Sequence, residues 1–374
     1  MTPPELRICL VGFGSIARTH ASALASLPSV CALPFRPVLA AIVSDRPTDV
    51  AADAALLGAR VLTLDEALAD TSLDVFDVTT RNVRHLDQAG AILRAGQPLY
   101  LEKPIGRTPK EADALAALAA ASAAPSQVGL VTRYAAAVVE ARSLLRIGAI
   151  GELRQGRLGL FHGSYLDPAR PISWRLQADQ AGGGAMLDLG LHLVDLLRFL
   201  FGEPELLAAR HATFLVDRPD GTGGRRPVDV DDWAWAEVRL PGGGRATVEA
   251  SRISLGTEGE PLELYGSEGS LVADLEDGRP PRLHRFDGQE ADFRGRAAAD
   301  PELRAVRDLR PPAQLTLGTF VDGHAAALHH FLLRVLGGDP VPGFAPTLAD
   351  SAAAEHLVAA ITAAPDGRPS GKND

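Results

Sequence analysis

Two groups of residues in this sequence have the types and the spacing for acid–base chemistry on a hydroxyl group. The first is Glu102-Lys103-Pro104, and Lys103 is one of three lysines in a chain that has 37 lysines and arginines together. Because most basic residues of this chain are arginines, a lysine at this position indicates that an ammonium group is needed there. The two side chains differ in geometry and in how readily they transfer a proton. The second is Asp188 and His192, whose four-residue spacing places them on one face of a predicted helix. A lysine and a histidine beside one hydroxyl could bind it and accept its proton, with the aspartate orienting them.

Each group also has a simpler interpretation, which the residues leave open. Glu102 and Lys103 could form a surface ion pair, which is common and contributes little. Asp188 and His192 could satisfy each other on a solvent-facing side of their helix. Gly190 lies between them. Glycine inside a helix lowers stability by about 1 kcal/mol relative to alanine, so its presence indicates that another group approaches the backbone there.

A glycine-rich turn lies near the start of the chain. Gly12-Phe13-Gly14-Ser15-Ile16-Ala17 follows an apolar run that predicts a buried strand, and it opens a predicted helix. The first glycine allows a tight turn, the second lets the backbone approach a pyrophosphate, and the small last residue allows close helix–strand packing. The helix start also presents N–H groups to an anion. The sequence therefore predicts a dinucleotide-binding turn with contacts from Gly12, Gly14, Ser15 and Ile16.

An acidic residue, Asp45, ends the next predicted strand. It is placed to bind the ribose diol of an adenosine, although residues 28–37 make the spacing longer than usual. A solvated turn residue remains the alternative interpretation of Asp45. Its charge would repel the 2′-phosphate of NADP, whereas Arg46 would attract it, so we expect NAD or NADP as the cofactor with NAD favoured.

Polar residues also follow two further predicted strands. Thr80, Asn82 and His85 come after the strand at residues 75–79, and Glu102 and Lys103 come after the strand at residues 98–101. The carboxyl ends of parallel strands form the edge at which open α/β sheets bind ligands. These residues are therefore candidate contacts of the same cofactor.

The order of predicted elements indicates two domains and a closing segment. Strand and helix signals alternate over residues 1–131, which predicts a Rossmann-type domain with a parallel sheet. Residues 132–345 are dominated by strands with hairpin turns such as 241–244, which predicts a second domain on a large, mostly antiparallel open sheet. Residues 217–231 are expected to be a mobile loop, and residues 294–312 a surface excursion. Helices at 319–336 and 346–363 close the chain; residues 346–374 are expected to pack back toward the first domain and to end in a frayed tail from Pro365.

Composition excludes several classes of function. The net charge of −10 makes nucleic acid an unfavourable partner. With two cysteines, Cys9 and Cys31, a disulfide framework is excluded and a reducing, cytoplasmic compartment is the expectation. There is no signal-like segment and no apolar run long enough to cross a membrane. The histidine spacings predict no metal site.

The motifs together resemble the Gfo/Idh/MocA oxidoreductases. The resemblance rests on GFGSIARTH at 12–20, Asn82 with His85, EKP at 102–104, WR at 174–175, GGGAMLDLGLHLVD at 182–195 and GSEGSL at 266–271. It implies a Rossmann domain, an α/β domain with a large open sheet, and transfer of a hydride between NAD or NADP and a hydroxyl or keto carbon of a sugar, inositol or related polyol.

The resemblance also implies roles for individual residues. Trp174 and Arg175 match a pair that reaches the cofactor, and Asn82 and His85 match residues lining its cleft. Glu102 is expected near the nicotinamide ribose, and the catalytic set is expected to be Lys103, Asp188 and His192. We favour His192 as the base, with Lys103 positioning the hydroxyl, and the reverse assignment remains open. Further candidates for lining the substrate are Arg133, Tyr134, His162, Tyr165 and Arg175.

Two departures from the family pattern and two rival functions remain. Arg81 stands where the family usually has proline, and Ala135–Ala137 lacks another common proline. Some relatives are glycosidases that use NAD transiently, and a few are non-catalytic regulators. Relatives assemble through the open sheet, so we expect a homodimer or homotetramer, with Trp233 and Trp235 either at that interface or under the helix.

Overall fold

The computed structural model describes residues 3–364, which form two compact units. The first contains residues 3–106, 110–134 and 301–352, and the second contains residues 107–109, 135–300 and 353–364. The strands are β1 (Glu5–Val11), β2 (Arg36–Val43), β3 (Arg60–Leu62), β4 (Val75–Val78), β5 (Leu99–Leu101), β6 (Ser126–Val128), β7 (Leu153–Phe161), β8 (Glu205–Ala212), β9 (Asp217–Pro219), β10 (Arg225–Pro227), β11 (Trp233–Arg239), β12 (Arg245–Ser251), β13 (Pro261–Gly266), β14 (Gly269–Asp274) and β15 (Arg282–Arg285).

The helices alternate with the strands in the first third of the chain and are less regular afterwards. They are α1 (Ser15–Val30), α2 (Pro47–Leu57), α3 (Leu64–Ala69), α4 (His85–Arg94), α5 (Pro109–Ala121), α6 (Ala136–Arg146), α7 (Ala178–Ala181), α8 (Leu191–Phe201), α9 (Glu290–Ala298), α10 (Pro301–Leu309), α11 (Thr319–Val335) and α12 (Leu348–Thr362).

The sheet of the first unit has six parallel strands in the order β3-β2-β1-β4-β5-β6. Its central strands are buried on both faces. In β1, exposed and buried residues alternate at the start of the strand, but Ile8–Val11 is almost inaccessible to solvent. Continuous apolar runs of this kind fit a parallel sheet covered by helices on both sides. The predicted Rossmann domain is confirmed, and the order reverses beside β1, next to the glycine-rich turn.

The sheet of the second unit has seven strands in the order β15-β14-β13-β7-β12-β11-β8. All its pairs are antiparallel except that of β7 with β12, which confirms a mostly antiparallel sheet. One face carries small apolar residues, such as Ala234, Ala236 and Val238, which are fully buried. A helical turn at Met186–Gly190 packs against β11 and β12.

The predicted mobile loop at 217–231 is wrong. β9 and β10 pair as an antiparallel ribbon there, and Val228 and Val230 join Tyr165 and Leu176 in a small apolar cluster. Arg218 is also buried, with its guanidinium donating to the carbonyl oxygens of Tyr165 and Asp167. The polar composition hid these contacts because the partners lie about fifty residues away in sequence.

The predicted surface excursion at 294–312 is wrong as well. α9 and α10 occupy most of this range, and Leu303, Val306 and Leu309 of α10 are buried at three-residue spacing. Arginines between these positions masked an amphipathic helix. α6 is a further helix that the sequence analysis does not predict.

The closing helices are found close to their predicted positions, as α11 and α12. α11 packs against α1 within the first unit. Among residues 3–364, none of the helices combines the length and apolar character that crossing a bilayer requires. The predicted frayed tail from Pro365 lies outside the described residues.

Candidate active site

The glycine-rich turn joins β1 to α1 in a conformation that suits glycine at its first position. Gly12 has a φ of +91°, and a Cβ on it would lie 2.6 Å from the Cγ2 of Thr80. α1 then begins at Ser15, with Gly14 as its N-cap, no side chain capping its amides and no acidic residue in its first turn. A helix start of this kind fits an anionic group such as a pyrophosphate. The turn therefore fits the dinucleotide that the sequence predicts.

Asp45 lies just beyond the end of β2 and is exposed, as is Arg46. The structure adds a neighbour that the sequence analysis does not predict: Arg84, whose Nη2 donates to the Oδ2 of Asp45 at 2.8 Å. Arg46 itself lies 3.4 Å from Asp49. Asp45 is therefore an acid flanked by two arginines, one beside it in sequence and one brought to it by the fold.

His85 holds together two of the loops at this edge of the sheet. Its Nδ1 lies 2.8 Å from the carbonyl oxygen of Pro104, and its Nε2 lies 3.1 Å from that of Thr80. The Thr80 hydroxyl donates to Gln88 at 2.6 Å. Burial lowers the pKa of His85. Because both ring nitrogens face protein carbonyls, His85 acts in this arrangement as a brace, and Asn82 is buried beside it in the same loop.

Glu102 is buried directly after β5 and belongs to a charged network within the first unit. The imidazole of His20, from α1, lies between two carboxylates: its Nδ1 is 2.9 Å from Asp77 Oδ2 and its Nε2 is 3.2 Å from Glu102 Oε1. Gly129 permits this position of Glu102, because a Cβ on Gly129 would lie 2.3 Å from Glu102 Oε1. Neither His20 nor Asp77 is among the predicted site residues.

The charges of this network support one another. Burial on its own would lower the pKa of His20, but Asp77 and Glu102 outweigh it and raise that pKa to about 10. Burial opposes the ionised carboxylate of Glu102, but its close contact with the charged imidazole of His20 prevails and lowers the pKa of Glu102 to about 2. Asp77 behaves differently, because burial raises its pKa and His20 only offsets part of that effect. At neutral pH the network therefore contains an imidazolium that holds Glu102 ionised.

His324, from α11, completes a set of donors that the spacing in sequence could not reveal. Its ring centroid lies 4.9 Å from that of His20, and the ligand atoms of His20, Glu102 and His324 all lie within 4.8 Å of one another. Two imidazoles and a carboxylate form a metal-ligating set in chemical type. A protonated His20 cannot be a ligand, however, so the ion pair with Glu102 competes with any cation.

Lys103 follows Glu102 and is half-buried, and its peptide bond to Pro104 is cis. Its backbone N–H donates to Glu102 Oε2 at 3.3 Å. Lys103 therefore lies at the carboxyl edge of the parallel sheet, next to the buried carboxylate, as the sequence predicts.

Asp188 and His192 lie in the second unit, at a junction between two kinds of helix. Met186–Gly190 is a π-helical turn, and α8 continues from it. Both side chains are half-buried, whereas Asp195, which a regular helix would place beside them, is buried. Gly190 has the close neighbour that the sequence indicates: a Cβ there would lie 2.1 Å from Met186 Sδ. Single π-helical turns inside helices are frequent at functional sites.

Asp231 fixes the start of this helical segment. Its Oδ1 accepts from the Gly184 N–H at 3.1 Å, and its Oδ2 accepts from that of Met186 at 2.8 Å. Gly184 is required there, because a Cβ on it would lie 1.9 Å from the Asp231 carbonyl oxygen. The glycine run at 182–184 thus serves a side-chain cap that comes from 47 residues further on.

Trp174 and Arg175 lie in a 3₁₀ turn of the second unit, with the Arg175 guanidinium 4.5 Å above the Trp174 ring. His162 and Tyr165 form a ring contact with centroids 5.7 Å apart. Burial, with Arg252 next, lowers the pKa of His162. The second unit therefore groups histidine, aromatic and charged side chains near the segment that carries Asp188.

The suggestion that Arg133 and Tyr134 line the substrate does not fit their surroundings. Both are buried in the first unit, where the Tyr134 hydroxyl lies 2.9 Å from His330 Nδ1. Arg133 donates to the Phe344 carbonyl oxygen at 3.3 Å and lies 3.5 Å from Asp350. Their polar groups instead contact residues 330–350 of the first unit.

Comparison with known proteins places both parts of the chain in one family. Residues 6–130 match the model of the oxidoreductase family with an NAD-binding Rossmann fold, and residues 138–272 match that of the GFO/IDH/MocA C-terminal domain. The levoglucosan dehydrogenase of Pseudarthrobacter phenanthrenivorans is 32% identical over 318 residues, which cover 78% of this chain and 79% of the relative. The chain belongs to the Gfo/Idh/MocA family of oxidoreductases.

Solved structures of related proteins agree with this assignment. A levoglucosan dehydrogenase in complex with NADH and L-sorbose superposes with a TM-score of 0.84 at 27% identity, covering 96% of each chain. An oxidoreductase domain protein from Kribbella flavida has a TM-score of 0.83 at 31% identity, again over 96% of each chain. As a member of this family, the protein is an NAD(P)-dependent oxidoreductase, and the predicted fold and family are confirmed.

Proposed function

We propose that this protein oxidises a ring hydroxyl of a sugar, anhydrosugar or inositol, or reduces the corresponding ketone, with NAD(H). The observation that carries the proposal is the position in which the fold places two pairs of polar residues. Glu102 and Lys103 directly follow β5 at the carboxyl edge of the parallel sheet, and Asp188 and His192 share the helical segment that Asp231 caps. The relative named for levoglucosan and the neighbour bound to L-sorbose support a pyranose-like substrate.

The proposed chemistry divides between the cofactor and the protein. A bound nicotinamide ring would supply the acceptor for the hydride of the carbinol carbon. Lys103 donates a hydrogen bond to the substrate oxygen and stabilises its developing negative charge. His192 accepts the hydroxyl proton, and Asp188 orients the substrate hydroxyl and His192. Reduction runs the same transfers backwards, so atoms and charges balance in both directions.

The same proposal assigns the cofactor contacts. Gly12, Gly14, Ser15 and Ile16 hold the pyrophosphate, and Asp45 binds the adenosine ribose, which favours NAD over NADP. Asn82, His85 and Thr80 shape the adjoining loop, and Glu102 lies near the nicotinamide ribose. Trp174 and Arg175, which belong to the second unit, are the remaining proposed cofactor contacts.

We also propose a cytoplasmic homo-oligomer assembled through the open sheet. Cys9 and Cys31 are both free thiols, which fits a reducing compartment.

Trp233 and Trp235 are half-buried on the face of β11 opposite the buried Ala234 and Ala236, so they do not pack under the helical segment. A pair of tryptophans on an open sheet face suits a contact with a second copy.

The direct experiment is a panel of levoglucosan, hexoses, inositols and their keto forms, tested with NAD(H) and NADP(H). We expect net NADH formation from at least one polyol. Hydrolysis of a glycoside without net NADH would instead indicate the NAD-dependent glycosidase alternative. Cofactor and sugar binding without any turnover would indicate a regulator.

A further inference from the structure

Arg252 is a buried arginine one residue beyond β12, and its side chain is 1% exposed. Its backbone is held on both sides: its N–H donates to the Asp232 carbonyl at 2.9 Å, and its carbonyl accepts from the Tyr165 N–H at 3.1 Å. Burying a guanidinium is costly unless it is paired and hydrogen-bonded. A guanidinium buried this deeply therefore needs a partner whose interaction offsets the free-energy cost of its burial.

The partner of Arg252 is Asp188. Arg252 Nη2 donates to Asp188 Oδ2 at 2.9 Å, and Nη1 donates to the carbonyl oxygen of Arg175 at 3.3 Å. The ring of Tyr165 lies 5.0 Å below the guanidinium carbon. Although burial disfavours the charged form, Asp188 leads the groups that keep the pKa of Arg252 above its ordinary value. One guanidinium therefore joins the Asp188 carboxylate to the turn that carries Trp174 and Arg175.

We propose that Arg252 is a positioning residue for the reaction, which keeps Asp188 ionised and holds it in register with the Trp174–Leu176 turn. This inference rests on the proposed function and deepens it, since it assigns the charge state of one member of the site. A carboxylate paired with a buried guanidinium stays an anion at neutral pH. Asp188 is therefore an acceptor of hydrogen bonds during the reaction, which fits its proposed role of orienting His192 and the substrate hydroxyl.

The second unit offers a matched control, Arg218, which is also 1% exposed. Its guanidinium donates to the backbone carbonyls of Tyr165 and Asp167. Arg252→Met and Arg218→Met thus each remove one buried guanidinium of the same unit. A loss of stability alone should affect both variants similarly, whereas a positioning role affects Arg252→Met specifically.

The test combines kinetics with a double-mutant cycle on the full-length enzyme and a polyol that the wild type oxidises. We expect Arg252→Met to lower kcat by about 100-fold, the size of effect that a small misplacement of a reacting group produces. Arg218→Met should keep kcat within about threefold at a temperature where both variants are folded. In an Asp188→Asn background, Arg252→Met should lower kcat by less than about threefold further, because its partner is already gone.

Two results would overturn the proposal: an Arg252→Met enzyme that keeps more than a third of kcat, or effects of Arg252→Met and Asp188→Asn that multiply. If Arg252→Met does not fold, Arg252→Lys takes its place. It keeps the charge but lacks the two-armed donor, so kcat should fall at least tenfold in the wild-type background and hardly at all with Asp188→Asn.

Chemical unfolding without substrate separates this proposal from the proposed function. It is measured on the wild type, Arg252→Met, Asp188→Asn and the double variant. Coupling between residues 188 and 252 in the unfolding free energy reports the ion pair itself. If the wild type oxidises no polyol while that coupling is present, the proposed function fails and the ion pair stands as a structural one. Without the coupling, the positioning role of Arg252 fails, whatever the substrate.

Discussion

At the scale of single residues, the first unit contains a buried group of charges that depends on pH. His20 lies between Asp77 and Glu102 with both ring nitrogens within 3.2 Å of a carboxylate oxygen. The ionised carboxylate of Glu102 is maintained by a histidine from α1, the helix that the glycine-rich turn opens. The fold thereby couples two motifs, GFGSIARTH and EKP, which the sequence presents 82 residues apart, counted from His20 to Glu102.

Stability should therefore decline on the alkaline side in a way that depends on His20. Its pKa is raised from 6.5 to about 10, so its contribution is complete below pH 6.5 and is lost as pH rises through about 10. The loss is at most about 1.4 kcal/mol per pH unit within that window. Urea unfolding of the wild type should show this decline between pH 6.5 and 10, and His20→Gln should show much less.

His284→Gln is the control for that experiment, since His284 is exposed. It should follow the wild-type profile. Equal pH dependence of wild type and His20→Gln would show that His20 is not the shared imidazolium. Metal analysis of the purified wild type belongs with it, because a stoichiometric cation at His20, Glu102 and His324 would also contradict a protonated His20.

Asp45 should decide the choice between NAD and NADP. It is flanked by Arg46 in sequence and by Arg84 at 2.8 Å. Removing the acid would leave two guanidinium groups at the ribose position, which suits a 2′-phosphate. Calorimetry should show that Asp45→Ala shifts the NADP-to-NAD affinity ratio by at least about tenfold, or 1.4 kcal/mol, toward NADP.

The matched control is Asp65→Ala, another exposed acid of the first unit. Its affinity ratio should stay that of the wild type. An unchanged ratio in Asp45→Ala would assign Asp45 to the solvated turn that the sequence leaves as an alternative.

At the scale of elements, the π-helical turn before α8 determines where Asp188 and His192 lie. Asp231 caps this segment, and the carbonyl oxygen of Asp231 occupies the space where a Cβ of residue 184 would be. We expect Gly184→Ala to lower the free energy of unfolding by about 2 kcal/mol or more, since backbone at that distance cannot yield cheaply. Thermal unfolding and kcat should fall together.

Gly295→Ala provides the comparison, because Gly295 lies in α9 and a Cβ there would meet nothing within 4 Å. In a helix with open space, alanine should be neutral or stabilising by up to about 1 kcal/mol. A Gly184→Ala protein with wild-type stability and kcat would show that the helix start is not fixed in this way.

The elements also show what the sequence can predict. The alternating strands and helices of the first unit follow from continuous apolar runs and a glycine turn, which are local signals. α9 and α10 escape prediction because arginines interrupt their apolar positions. The ribbon of β9 and β10 escapes because its core depends on Tyr165 and Leu176, far away in sequence.

The same distinction holds for the candidate site. Lys103, Asp188 and His192 are candidates from the sequence alone, since their residue types and their positions within short motifs are visible there. Asp77, Asp231 and Arg252 cannot be found in this way, because each acts through a partner 45 or more residues away, such as His20, Met186 and Asp188. Gly190 indicates a close neighbour, but that neighbour is Met186, four residues away in sequence.

At the scale of the whole molecule, assembly should depend on the open face of the seven-stranded sheet. Trp233 and Trp235 lie there with Glu249, which accepts from the Trp233 Nε1 at 2.7 Å. Light scattering should find a dimer or tetramer, and Trp235→Arg should shift it toward the monomer by placing an unpaired charge in the interface. Phe286→Arg, at a position 89% exposed, should leave the assembly unchanged.

A wild-type protein that is monomeric at micromolar concentration would contradict this assembly. So would a Trp235→Arg protein that keeps its oligomeric state while folding normally.

The proposed chemistry depends most on Lys103 acting on the substrate hydroxyl. The most direct measurement compares Lys103→Ala with Lys110→Ala, which removes an exposed lysine seven positions further on. Steady-state kinetics on a polyol oxidised by the wild type should show Lys103→Ala lowering kcat by about 10²–10⁴-fold, while calorimetry finds NAD affinity within a few-fold and Lys110→Ala behaves as wild type. A Lys103→Ala enzyme that keeps more than a tenth of wild-type kcat would contradict the account.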